Sequence, residues 1–180
     1  MIAPLETARL ILRPIELADA PQAQQLFAKW EIVRLLSSRV PWPFPADGVF
    51  TYYRDAALPA MERGEEWHWS LRLKNATDRL IGCVSLLTTE NHNRGFWIGI
   101  PWQRQGFMSE AVDAVTDYWF DVLEFPVVRA PKAVANTASR RISERQGMRV
   151  VATEDHDYVS GRLPTEIWEI TAAEWRARRR

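Results

Sequence analysis

Cysteine is almost missing from this sequence: Cys83 is the single one. That excludes an internal disulfide and a cysteine-based zinc cage, and no metal is expected. Cys83 lies in the apolar run "LIGCVSLL" and reads as a buried, inert thiol. Such sparing use of cysteine fits a reducing interior. No stretch reaches the ~18 consecutive apolar residues that a membrane span needs. "MIAPLETARL" has neither the basic n-region nor the apolar h-region of a secretory signal. A soluble, cytoplasmic protein with no membrane partner is therefore expected. Charge excess is missing too, with Lys+Arg 23 against Asp+Glu 23. A nucleic-acid binder would show a basic face. The terminal "RARRR" reads as a solvated tail, so no nucleic-acid partner is expected. Repeats, low-complexity blocks and long linkers are absent. The 180 residues read as one domain, 1–180, with a single sizeable core. An apolar fraction of 47% with nine tryptophans excludes a disordered chain.

What is present alternates between strand and helix signals. "RLILRP" (9–14) reads as a strand ended by Pro14. Asp19 reads as a helix N-cap with Gln22 completing a capping box, and Ala23, Leu26, Phe27 and Trp30 follow at helical spacing. "VPWPFPADG" (40–48) must be a loop, and a weaker helix is expected over 49–57. "WHWSLRLK" (67–74) alternates, with Trp67, Trp69, Leu71 and Leu73 on one face and His68, Ser70, Arg72 and Lys74 on the other. "RLIGCVSLLT" (79–88) and "FWIGI" (96–100) continue as strands. A helix from about 109 to 123 follows, with Val112, Val115, Trp119 and Val122 on its apolar face. "VVRAPKAV" (127–134) reads as a strand made irregular by Pro131. "NTASRRISERQG" (136–147) is a short helix capped by Asn136 and stopped by Gly147. Two closing strands and a tail helix, boxed by Thr171 and Glu174, end the chain. Three strands in succession, then β-α-β crossovers, imply a mixed sheet with helices on both faces.

"WIGIPWQRQGFMSEAV" (97–112) places a polar, glycine-centred turn between an apolar strand and a helix. Backbone N–H groups in such a turn, with the helix dipole behind them, bind anions. Gly106 permits close approach, and Arg104 can add charge-assisted bonds. "QRQGFM" resembles the acetyl-coenzyme A motif of the GNAT N-acetyltransferase superfamily. Some 30 residues later, "NTASRRISERQGM" resembles that superfamily's second signature. "TARLILRPIELAD", "RGFWIGIPWQRQGFMSEAV" and "EIWEITAAEW" resemble the branch that includes ribosomal-protein N-terminal (alanine/serine) acetyltransferases.

The resemblance implies an α/β GNAT fold: a mixed, mostly antiparallel central sheet of six to seven strands, helices on both faces, and a splay between the two central parallel strands. It implies acetyl-CoA as co-substrate, with the cofactor bound by Gln103, Arg104, Gln105, Gly106, Phe107, Met108 and Ser109. The amides from Gln105 to Ser109 would hold the pyrophosphate. Met108 stands where the family usually has Gly or Ala, which implies a bulkier wall. Ile98 and Ile100 would offer main-chain groups to pantetheine and an oxyanion donor, and Asn136 would contact the pantetheine arm or tether the adjoining helix. Ser139 would stand near the coenzyme sulfur as its proton donor, and Met148 is expected in the core.

The family reaction is direct attack of a neutral amine on the thioester in a ternary complex, which needs a base and oxyanion donors. Asn93 stands where many relatives carry glutamate. Glu90 and His92 are the neighbouring candidates for the base, with His68 a weaker one; Tyr52, Tyr53 and Tyr118 read as packing. An α-amine with pKa ~8 is roughly a tenth neutral at pH 7, whereas a lysine amine near ~10.4 is below about a thousandth. A site without a strong base therefore favours a protein or peptide N-terminal α-amine. Trp30, Trp42 and Trp67 are candidates to line the acceptor pocket. The alternatives are a small drug-like or toxin amine as acceptor, or a coenzyme-A-binding regulatory protein without catalysis. A monomer or homodimer is expected.

Overall fold

The computed structural model describes residues 2–178. β1 (Leu5–Glu6) and β2 (Leu10–Pro14) precede α1 (Ala20–Phe27) and α2 (Trp30–Val33). α3 (Gly48–Tyr52) and α4 (Leu58–Arg63) are joined by a π-helical turn, Tyr53–Ala57. β3 (Glu66–Leu73), β4 (Ala76–Leu87) and β5 (Arg94–Ile98) form a meander. α5 (Phe107–Asp117), β6 (Val127–Ala133), α6 (Thr137–Arg145), β7 (Arg149–Tyr158), β8 (Gly161–Thr171) and α7 (Ala172–Ala177) follow.

The strands fall into two antiparallel ladders. Five pair in chain order from β1 to β5, and three pair in the order β6-β8-β7. β5 and β6 lie side by side and run in the same sense. The Asn93 amide donates to the Arg129 carbonyl at 2.7 Å, and three residues further along each chain Lys132 Nζ lies 5.0 Å from the centre of the Phe96 ring. No ladder joins the two strands among the described residues. This is the expected α/β fold with its splay between parallel strands, carrying eight strands rather than six or seven because the two-residue β1 is added.

Both faces of the larger ladder are covered. On one, Leu10, Leu12, Trp67, Trp69 and Leu71 pack against Phe107, Ala111, Val112 and Val115 of α5. On the other, Leu80 and Cys83 pack against Ala20 and Ala23 of α1 and Val49, Tyr53 and Ala57 of the α3–α4 segment. Each such large buried side chain contributes about 1.5–3 kcal/mol. Burial pushes the Cys83 thiol up to about 12, so it is the inert thiol expected.

Several local expectations change. The polar face of β3 is roofed by helices, so His68, Ser70 and Arg72 are buried; each has a hydrogen-bond partner, though Arg72 Nε has none among the described residues. His68 Nε2 meets the Glu66 carboxylate at 2.6 Å, and Ser70 Oγ donates to the Arg13 carbonyl at 3.2 Å. Asp19 makes no side-chain cap for α1. Its carboxylate instead accepts from buried Arg72, and the capping box belongs to Glu16 and Asp19. Gln22 is occupied elsewhere, bonding the Asp78 carbonyl and the Leu80 amide. Val122 is 61% exposed, because the π-helical turn Tyr118–Val122 rotates it off the apolar face. Pro131 causes no irregularity, since β6 stays in unbroken register with β8. Within the tail, Arg176 and Arg178 donate to the carbonyls of Phe120 and Arg145, and residues 179–180 lie outside the described residues.

Removing one partner of a buried ion pair strands the other charge. Asp19→Ala is expected to cost about 3 kcal/mol, read as a lower urea midpoint at unchanged slope. A midpoint equal to the parent's would show that the pair is not stabilising.

Candidate active site

Three local features open β5 from β6. Asn93 closes one end: its Oδ1 accepts from the Arg129 amide at 2.8 Å, and its Nδ2 donates to the Leu87 and Thr89 carbonyls at 3.2 and 3.0 Å. Alternation along β6 then points Pro131 toward β5, and proline has no N–H to offer there. Beyond it, Lys132 Nζ lies over the Phe96 ring, 5.0 Å from its centre. The Gly99 amide bonds the Ile81 carbonyl at 2.8 Å, so the same alternation turns the main-chain groups of Phe96 and Ile98 away from β4 and into the fork. The Ile98 carbonyl accepts from Gln103 Nε2 at 3.2 Å. Ile100 is outside the strand, in a 3-10 turn, and 42% exposed.

The open end of the fork receives two helix N-termini, those of α5 and α6. Gly106 caps α5 with φ +81°, and Arg104 also takes positive φ, +61°. A side chain at 106 would be strained by that φ, and its Cβ would stand 3.3 Å from Arg9 Nη2. Among the described residues, the amides from Arg104 to Ser109 find no acceptor in the protein. The sequence did not reveal what fixes this loop. Arg9 Nη1 donates to the Gln105 carbonyl at 3.0 Å, its Nε pairs with Glu110 at 2.7 Å, and its guanidinium lies 4.5 Å from the Phe107 ring centre. Burial would raise the Glu110 carboxyl, but bonds from Thr7 and Arg9 outweigh it and hold it below the ordinary value. Gln103, Arg104 and Gln105 are exposed. Phe107 and Met108 turn their side chains into the core, so Met108 adds no bulk to the loop wall.

At α6, Asn136 Oδ1 accepts from the Ser139 amide at 3.2 Å, the expected cap. Ser139 is 9% exposed, and its Oγ accepts from Lys132 Nζ at 2.7 Å. Lys132 was not singled out from the sequence, although a strand reading of "VVRAPKAV" puts it on the face shared by Val128 and Ala130. Burial, then repulsion from Arg94, lowers its pKa well below the ordinary 10.5. Arg94 is itself fully buried, donating to Thr116 Oγ1 at 2.9 Å and to Met148 Sδ at 3.4 Å. Burial pulls it down to about 10, which leaves it charged at neutral pH.

The base candidates separate. Glu90 is exposed and lines a cavity of about 260 Å³ at the closed end, with Asn93, Trp119, Phe125 and Arg129; Ser139 is not in that lining. His92 is half-buried, and its pKa is lowered by burial first, then by the charges of Arg39, Lys132 and His156. It is neutral at pH 7 and able to accept a proton. His68 is engaged by Glu66, and Tyr53 and Tyr118 are buried packing residues. Trp67 belongs to the core, whereas Trp30 and Trp42 are exposed, their rings 5.3 Å apart.

A family model described as an acetyltransferase (GNAT) domain matches residues 9–149. The chain belongs to that family. Among curated proteins, a probable N-acetyltransferase of Bacillus subtilis is 32% identical over 92 residues, 48% of this chain; the match spans half the length of that relative. A ribosomal-protein-S5-alanine acetyltransferase from Vibrio fischeri superposes with TM-score 0.81 at 15% identity, covering 97% of this chain and 99% of its own. A ribosomal L7/L12 α-N-protein acetyltransferase in complex with coenzyme A superposes with TM-score 0.78 at 15% identity, covering 94% and 98%.

A buried lysine without a carboxylate partner destabilises a fold. Lys132→Met is expected to stabilise the protein by about 1–2 kcal/mol at pH 7. Sign and window follow from the lowered pKa. Between its lowered folded value and 10.5 the unfolded chain holds a proton that the folded chain has shed, so parent stability rises with pH across that window. The variant lacks this rise. Equal slopes for parent and variant in pH-dependent urea unfolding would show that Lys132 is charged in the fold.

Proposed function

We propose that this chain is an acetyl-CoA-dependent N-acetyltransferase acting on the α-amine of a protein or peptide N-terminus, by direct attack within a ternary complex. One observation carries the reading: the unpaired amides from Arg104 to Ser109 and the Ser139 hydroxyl stand together at the carboxyl ends of two parting parallel strands. That is where open α/β sheets bind ligands. In this reading the amides from Gln105 to Ser109 hold the pyrophosphate, with Gly106 keeping the cradle clear and Arg104 at its rim. The main-chain groups of Phe96 and Ile98 pair with pantetheine as an added strand would. A free N–H among them receives the carbonyl oxygen as it gains charge. Ser139 gives its proton to the departing sulfur, and Asn136 holds Ser139 in the first turn of α6.

His92 is the base in this reading. It is neutral at working pH, because burial and neighbouring basic groups lower its pKa. Asn93 supports no separate, non-catalytic reading, because its side chain is spent on the main chain of β6 and of the β4–β5 turn. The α-amine preference rests on the absence of a carboxylate base. The names of the two ribosomal-protein acetyltransferases of the same fold agree with it. Trp30 and Trp42 offer an exposed aromatic wall for the residues after the acceptor amine.

A panel of acceptors with labelled acetyl-CoA tests this. N-terminal peptides are expected to be acetylated at least tenfold faster than polyamines, aminoglycosides or lysine side chains, the order set by neutral amine at pH 7. Faster turnover of a small amine would reverse the acceptor class. Binding of coenzyme A with no turnover of any amine would remove catalysis. His92→Ala is expected to delete the part of the rise in kcat/KM that lies below pH 6.5, leaving only the acceptor's own ionisation near ~8. A superimposable profile would exclude His92 as the base.

A further inference from the structure

Lys132 is unusual in three ways. Lysine occurs in this chain only at positions 29, 74 and 132, and Lys132 alone of them is buried, at 4% exposure. It has no carboxylate within ion-pair distance among the described residues. Glu166, directly opposite it on β8, is taken by Arg140 through bonds of 2.8 and 3.1 Å. Among the described residues, the only hydrogen-bond partner of its Nζ is Ser139 Oγ, at 2.7 Å. On the other side stands the face of Phe96, at the mouth of the fork.

We propose that Lys132 is itself an acyl acceptor: with no amine substrate present, the acetyl group passes from the bound thioester to Lys132 Nζ. This rests on the proposed function, which brings the thioester to Ser139 and hence beside Nζ. An amine held in an apolar, cation-lined slot keeps its lone pair free, as desolvated lysine nucleophiles do. The lowered pKa agrees. In the step, Nζ forms a bond to the thioester carbonyl carbon and the carbon–sulfur bond breaks. Ser139 passes its hydroxyl proton to the departing sulfur and regains one from the new nitrogen–carbon adduct. The products are Nε-acetyl-Lys132 and the coenzyme A thiol, so atoms and charge balance without a further reactant. The acetylated side chain occupies the fork, and it blocks the next round of transfer.

The full chain is incubated with acetyl-CoA and no acceptor, then read by intact mass and peptide mapping, with coenzyme A binding followed by calorimetry. One acetyl group is expected on the Lys132 peptide, at a rate that saturates with acetyl-CoA. Lys132→Met is expected to bind coenzyme A and gain no acetyl group. A saturating acceptor peptide is expected to suppress the adduct. Label only on Lys29, Lys74 or the amino terminus overturns the inference. So does an unmodified Lys132 in a chain that binds coenzyme A and acetylates a peptide, and that outcome leaves the proposed function standing. Absence of coenzyme binding overturns both.

Discussion

The parting of β5 from β6 is the constraint on which the rest of the molecule depends. Backbone polar groups away from water must be paired, and two neighbouring strands ordinarily pair with each other. Among the described residues they do so only at Asn93 and Arg129, where an amide side chain ties three backbone segments together. One outward position later, Pro131 removes the donor that would continue the ladder. The fork is therefore built into covalent structure at one residue and into hydrogen bonding at another. β8 holds the far side of β6 in register, so opening toward β5 does not unravel the smaller ladder. What remains is a short edge whose groups a ligand can complete.

The interior of that fork is lined by basic side chains. Arg94 and Lys132 are both buried, and the charge on Arg94 disfavours a second charge on Lys132. A carboxylate at position 93 would bring negative charge to the closed end and would itself be held ionised by these neighbours, making it a weak base. An asparagine there leaves the field positive, which favours neutral Lys132 and neutral His92. The missing carboxylate and the depressed basic groups thus belong to one electrostatic arrangement.

The elements that place this arrangement differ in how legible they were. Gly106, Asn136 and the Thr171–Glu174 box were readable because their causes are local: a positive φ, an N-cap and a capping box act within a few residues. The alternation in "WHWSLRLK" gave the strand but not its surroundings, since the helices that roof His68, Ser70 and Arg72 come from residues far away in the chain. Asp19 looked like a cap for the same reason; its true partner, Arg72, is distant in sequence. Arg9 carried no local signal, because its value lies in reaching Gln105 and Glu110. Pro131 was visible, but its effect was assigned to the strand rather than to the gap beside it. Lys132 is in phase with Val128 and Ala130, but its role depends on Ser139, Phe96 and Arg94, which no local spacing marks.

In the proposed reaction, the positive fork also bears on the acceptor. An ammonium ion entering beside the charged Arg94 is repelled, so the amine must shed its proton at or before entry. At pH 7 that costs an α-amine of pKa ~8 about 1.4 kcal/mol and a lysine side chain of pKa ~10.4 about 4.6 kcal/mol. The difference of about 3 kcal/mol is more than a hundredfold in rate, before any contact with the rest of the acceptor is considered. A carboxylate base would narrow that gap by drawing the ammonium in and taking its proton. Leaving it out makes selectivity a property of the acceptor's own acidity, with the aromatic surface at Trp30 and Trp42 free to act on the residues that follow.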